Sequence, residues 1–330
     1  MRISRELLID LARREAERRG AENEVLSGYL IGSVARGEPQ FGDSLDIDLV
    51  LIHKSSPPAE REMMRLSQQV HLDIAHHGQE LYLKPSDLRI HPWMGPSLCE
   101  PIFLYDPEHF LEWAQAGARG QYYRADHTHT RALAFLDRAR QSASLLPVSS
   151  RWVRTYFRAV LDAANAVACL TGFPVAGRRL SLQLNDAAQG LEFPELYGGF
   201  LQLLGSESLQ DWSVPETLSA WARTFDEASD SSSDPLLSSC RRDYYLNAFQ
   251  VLAEKGEAKA MLWPMIITWE QALHALNQLE NVEQPHPEWA QLLENLGLSA
   301  ERRSARMDAL ERYLDRNEAF IEGWAERSGA

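Results

Sequence analysis

The sequence predicts an α+β protein, a small mixed sheet with its own helices over residues 1–117 followed by an all-helical domain over residues 118–330. Three observations point that way. Short apolar runs at 25–31, 46–51, 70–75 and 102–105 have the length of strands, with helix-compatible segments between them. From Tyr122 onward apolar residues return at helical period between Pro, Gly and Ser breaks, and no strand pattern recurs. At 330 residues the chain is long enough for two hydrophobic cores.

The elements follow in order. Ile3, Leu7, Leu8 and Leu11 stand amid frequent charges, the pattern of an amphipathic helix; a signal peptide would have a continuously apolar centre. The strand Val25 to Ile31 breaks at Gly32-Ser33, Val34 to Arg36 starts a helix, and a Gly/Pro-rich turn leads into Asp46-Ile47-Asp48-Leu49. Pro57 to Gln69, opened by two prolines and rich in Glu, Arg and Met, reads as a second helix that delivers the chain to the strand Val70 to Ala75. Glu80 to Leu88 reads as a strand and a Pro-initiated turn, Ile102 to Tyr105 as a strand, and Pro107 to Gln115 as a closing helix. Gly117 and Gly120 read as a hinge. Eight further segments, 131–144, 151–170, 194–204, 215–228, 234–253, 257–278, 288–296 and 300–324, read as helices. The acidic, Ser-rich stretch 226–235 reads as an irregular, solvated connector.

Composition narrows the classes of function. No apolar run approaches the roughly 20 residues of a membrane span. The three cysteines are far apart, which suggests neither a disulfide framework nor a zinc cluster and makes a reducing cytoplasm the expected compartment. The net charge is -14, with 12 Lys and Arg against 19 Asp and Glu up to Gln115 and 21 against 28 after it. Neither half is a basic pole, which argues against tRNA or DNA as a partner, because neutralising phosphates supplies most of that affinity. An acidic chain suits a cationic substrate, or a small nucleotide whose charge a metal handles.

The chemistry concentrates between Leu26 and Asp48. Residues two apart in a strand point to the same side, so Asp46 and Asp48 present two carboxylates together while Ile47, Leu49 and Leu51 face a core. Adjacent like charges inside an apolar run call for a divalent cation, and Mg2+ takes hard oxygen ligands of this kind. Gly32 allows close backbone approach, and Ser33 at a helix start offers a hydroxyl and N–H groups to an anion, with Arg36 one turn further on. The histidines lack the His-Glu-x-x-His spacing or a cysteine partner. Tyr122, Tyr123, Trp152 and Tyr156 suit either a helical core or a platform for an adenine ring.

Gly32-Ser33, a twelve-residue spacer, and Asp46-Ile47-Asp48-Leu49 together resemble the signature of the polymerase-beta-like nucleotidyltransferase superfamily. Asp73, in Val70-His71-Leu72-Asp73-Ile74-Ala75, matches the third carboxylate that such sites place on a later strand. One departure is that Leu45, not Ser, precedes the first Asp, with Ser44 one place earlier. The resemblance implies a two-ion Mg2+ site on Asp46, Asp48 and Asp73, with Gly32, Ser33 and Arg36 at the triphosphate. It implies transfer of AMP from ATP to a hydroxyl acceptor with release of pyrophosphate. The layout, a catalytic domain before a helical one, is similar to the kanamycin and streptomycin adenylyltransferases, which suggests a cationic small-molecule acceptor. A protein acceptor, as for minimal nucleotidyltransferase antitoxins, and a non-catalytic nucleotide-binding regulator are the alternatives.

Overall fold

The computed structural model describes residues 3–21, 24–209, 212–280 and 286–330. The chain divides into two compact units, Met1–Tyr123 and Arg124–Ala330. Among the described residues no helix is long and apolar enough to cross a membrane.

In the first unit α1 (Arg5–Gly20) precedes β1 (Val25–Ile31), α2 (Gly32–Arg36), β2 (Leu45–His53), β3 (Arg61–Arg65) and β4 (Val70–Gly78). Two short helices, α3 (Pro85–Leu88) and α4 (Met94–Cys99), lead to β5 (Ile102–Tyr105) and α5 (Phe110–Arg119). The five strands form one mixed sheet in the order β3-β4-β2-β1-β5, with β2 and β4 parallel and every other pair antiparallel. This is the α+β class that the sequence predicts.

The period of two along each strand sorts residues between two cores. On one side Leu8, Ala12 and Ala16, four residues apart along α1, pack on Ile47, Leu49, Leu51, Leu72 and Ile74. The small residues matter: a Cβ built on Gly28 of β1 would lie 3.1 Å from the Ala16 Cβ, so helix and sheet are already at contact distance. On the other side Tyr29, Val50 and Ile52 pack beneath Tyr82, Leu88, Leu98, Leu111 and Ala114. Asp106 fixes where α5 begins, its carboxylate accepting the N–H groups of Leu111 at 3.1 Å and Glu112 at 3.0 Å.

Three expectations change here. Residues 57–69 do not form a helix; they contain the edge strand β3. Arg, Glu and Met favour helices, but pairing with β4 satisfies the backbone and splits the side chains by period two. Glu62 reaches Arg19 of α1 at 2.7 Å and Met64 packs on the α1-side core, while Arg61, Met63 and Arg65 point to the other face. Residues 80–88 form a 3-10 turn and one turn of helix instead of a strand. Gly117 is not a hinge: it lies inside α5, where a Cβ would come 2.4 Å from the Pro85 Cβ.

A buried histidine pair ties β2 to β4. His53 Nε2 and His76 Nδ1 are 2.9 Å apart, and His76 Nε2 lies 3.5 Å from Glu62. Burial lowers both imidazoles below the usual 6.5, and for His53 the neighbouring His76 lowers it further. A lowered folded-state pKa means that the unfolded chain takes up protons first, so stability is complete above 6.5 and falls as the pH drops below it. Melting temperature is therefore expected to decline from about pH 6.5 to 5, and His53→Gln to flatten that slope. An unchanged slope in the variant would remove the pair as its cause.

The second unit is helical throughout its described residues. Its helices are α6 (Ala125–Leu145), α7 (Trp152–Ala168), α8 (Leu180–Gly190), α9 (Pro194–Leu203), α10 (Val214–Ser231), α11 (Ser239–Glu254), α12 (Leu262–Glu280), α13 (Pro287–Asn295) and α14 (Arg303–Ser328). Helices α10 and α12 exchange two buried bonds, Trp221 Nε1 to Thr268 Oγ1 at 3.0 Å and Trp269 Nε1 to Thr224 Oγ1 at 3.2 Å. Asn317 of α14 donates to the Ala163 carbonyl of α7 at 2.8 Å. The connector expected at 226–235 is largely helix, because Ala228 completes the buried stripe Leu218, Trp221, Phe225 on α10. Its last turn is held by Ser231 Oγ donating to the Glu227 carbonyl. Tyr122, Trp152 and Tyr156 are buried core residues, which excludes them as an exposed adenine platform; Tyr123 is exposed.

Candidate active site

The site is built where β1 ends. Ile31 pairs with Asp48 across the antiparallel β1–β2 ladder, and the next residue, Gly32, turns at φ +74°. A Cβ at Gly32 would lie 1.8 Å from Asp48 Oδ2 and 2.7 Å from its Cγ. Only glycine lets the chain cross this carboxylate so closely, and only glycine adopts that φ without strain. The short helix α2 is then held from two sides. Arg5 of α1 donates to the carbonyls of Val34 at 2.7 Å and Ala35 at 2.6 Å, and Gly37 at φ +68° closes the helix with its N–H on the Ser33 and Val34 carbonyls. Ser33 and Arg36 therefore have fixed backbone positions. Arg36 is paired with Glu38 at 2.7 Å.

Asp46 and Asp48 share one side of β2, Asp46 buried and Asp48 half-buried, while Ile47 and Leu49 are sealed in the core behind them. In the parallel ladder Asp46 stands beside His71 and Asp48 beside Asp73, so the third acid is the strand neighbour of the second on the same face. Further along β2 that face turns apolar at Val50 and Ile52. The fold thus gathers Gly32, Asp46, Asp48 and Asp73 at one end of one sheet face.

Sequence reading did not foresee Arg61. From β3 its guanidinium takes both oxygens of Asp73, Nε to Oδ1 at 2.5 Å and Nη2 to Oδ2 at 2.9 Å. The Asp73 side chain is 1% exposed against 42% for Arg61, so a buried carboxylate is neutralised from the sheet edge. Arg65, two strand steps on, points to the same face opposite His71. The signal was present in Arg61-Glu62-Met63-Met64-Arg65, but consecutive methionines hide a period of two.

No protein-family model matches this chain, and neither does any curated protein. Among solved structures, a nucleotidyltransferase-like protein from Exiguobacterium sibiricum is similar over 93% of this chain and 89% of its own, at 13% identity and a TM-score of 0.30.

The residues themselves decide what the site can hold. Asp46 and Asp48 supply adjacent hard oxygens of the kind a divalent cation takes, and the glycine crossing leaves the Asp48 carboxylate room that any side chain would fill. Among the described residues no three His, Cys, Asp or Glu side chains are grouped to hold a metal. Asp73 is engaged by Arg61, so the donor set for a second ion is incomplete as the site stands.

Proposed function

We propose that this protein is a Mg2+-dependent nucleotidyltransferase that moves AMP from ATP to a hydroxyl of a small, cationic acceptor. One observation carries the reading: the glycine that follows β1 lies directly against Asp48 of the acid pair on β2, which brings the start of α2 and carboxylates of the kind that ligate a metal to the same spot. Asp46 and Asp48 would hold the ion, and Gly32 and Ser33 would receive the triphosphate through backbone N–H groups and the Ser33 hydroxyl. When bound, Mg2+ offsets triphosphate charge and eases ionisation of the acceptor hydroxyl. The acceptor oxygen bonds to the α-phosphorus, the bond from that phosphorus to the bridging oxygen breaks, pyrophosphate leaves, and the hydroxyl proton passes to solvent. The net charge of -14 favours a cationic acceptor over a nucleic acid.

Pyrophosphate release tests the reading, with ATP, Mg2+ and a panel of hydroxyl acceptors running from polyamine sugars to neutral sugars and peptides. Release that depends on a cationic acceptor is expected; none with any nucleoside triphosphate over the whole panel would sink it. Ser33→Ala should weaken ATP binding about ten- to a hundred-fold, the effect of one lost hydrogen bond to a charged group. Calorimetry measures this directly, and undiminished affinity would take Ser33 out of the cradle.

A further inference from the structure

The third carboxylate is where the site departs from a two-ion arrangement, and the departure is physical. Both oxygens of Asp73 are already bonded to one guanidinium, in a side-on fork of two charge-assisted hydrogen bonds. The Asp73 side chain is almost fully buried while Arg61 is 42% exposed, so a cation approaching Asp73 from solvent meets the guanidinium first. The edge strand that supplies it also directs Arg65 to this face, so a second divalent ion would enter beside fixed positive charge.

We infer that Arg61 takes the place of a second metal ion: the site binds one divalent cation, on Asp46 and Asp48, and Asp73 is a positioning residue that holds Arg61 beside them. This rests on the nucleotidyltransferase reading for the role of the acid pair. On that basis the two residues act in sequence. Asp73, fixed in register next to Asp48 by the parallel β2–β4 ladder, sets where the guanidinium sits. Arg61 then presents its remaining N–H groups where the reading requires phosphate charge to be met. A guanidinium has five N–H donors and Asp73 uses two, so donors remain for phosphate oxygens.

The test counts ions, using Mn2+ as the probe and the spectroscopic signal of free Mn2+ as the readout. The full chain is titrated with α,β-methylene-ATP at saturation, so that no turnover is needed. Wild type should bind one Mn2+ per chain. Asp73→Asn should also bind one, because Asp73 is not a ligand. Arg61→Met keeps the aliphatic stem, frees the Asp73 carboxylate and should bind a second. Two ions in wild type, with one lost in Asp73→Asn, would overturn the inference while leaving the proposed function standing. A single ion in folded Arg61→Met would show that Arg61 is not what excludes the second, and would also overturn it. No bound Mn2+ in wild type would sink the metal role of Asp46 and Asp48, and this inference with it.

Discussion

Asp46→Asn and Asp48→Asn are each expected to abolish nucleotidyl transfer while the protein stays folded. The two side chains face the same way on β2 with Ile47 and Leu49 sealed behind them, so neither can be replaced by a neighbour on the strand. Asn keeps the shape and one oxygen but removes the charge that holds a divalent cation. The loss expected for a metal's contribution to the transition state is several kcal/mol, or about a thousand-fold in rate or more. Folding should be spared because each substitution removes one of two adjacent like charges, whose repulsion the apo protein otherwise bears. Turnover and calorimetric melting on the same samples make the check. Turnover within about tenfold of wild type in either variant would remove the pair from the mechanism.

What could be read from the sequence was local, and what could not depended on partners distant in the chain. Two carboxylates at a spacing of two inside an apolar run predict their own shared face, since the strand period alone decides it. Gly32 directly follows β1 and the acid pair lies on β2, the next strand and its ladder partner, so their meeting is close to a local event. Asp73 arrives by a parallel pairing, which the apolar pattern of 70–75 permits but does not register; the ladder supplies the register that sets it beside Asp48. Arg61 was out of reach for a different reason. Residues 61–65 are good helix formers, and they become a strand because β4 offers an open edge, a fact carried by residues 70–78 and not by their own composition. In the helical unit the same limit applied to α8, whose residues Leu180, Leu184, Ala187 and Ala188 form too short a stripe to stand out. The end of α10 was misread because serines and aspartates signal a loop, while one buried alanine kept the helix going.

Gly32→Ala should separate the geometry of the site from the stability of the fold, especially when set against Gly37→Ala. Both glycines have positive φ, +74° and +68°, so each alanine is strained by about 1–2 kcal/mol and both variants should melt lower. Their surroundings differ. At Gly37 the new Cβ would meet only the Arg5 side chain at 3.6 Å, ordinary contact distance. At Gly32 it would meet Asp48 Oδ2 at 1.8 Å, Cγ at 2.7 Å and Cβ at 3.1 Å. Backing away is blocked, because Ile31 is laddered to Asp48 itself and α2 is tethered through Val34 and Ala35 to Arg5. The side chain of Asp48 can rotate, and so the clash is relieved by turning the carboxylate out of its present position against Gly32. Gly32→Ala is therefore expected to lose Mn2+ binding and transfer together, with a fall in melting temperature close to that of Gly37→Ala, which should keep both activities. The comparison needs only a melting curve and a Mn2+ titration for each variant. Wild-type Mn2+ affinity in Gly32→Ala would mean that the glycine crossing over Asp48 has no part in the site.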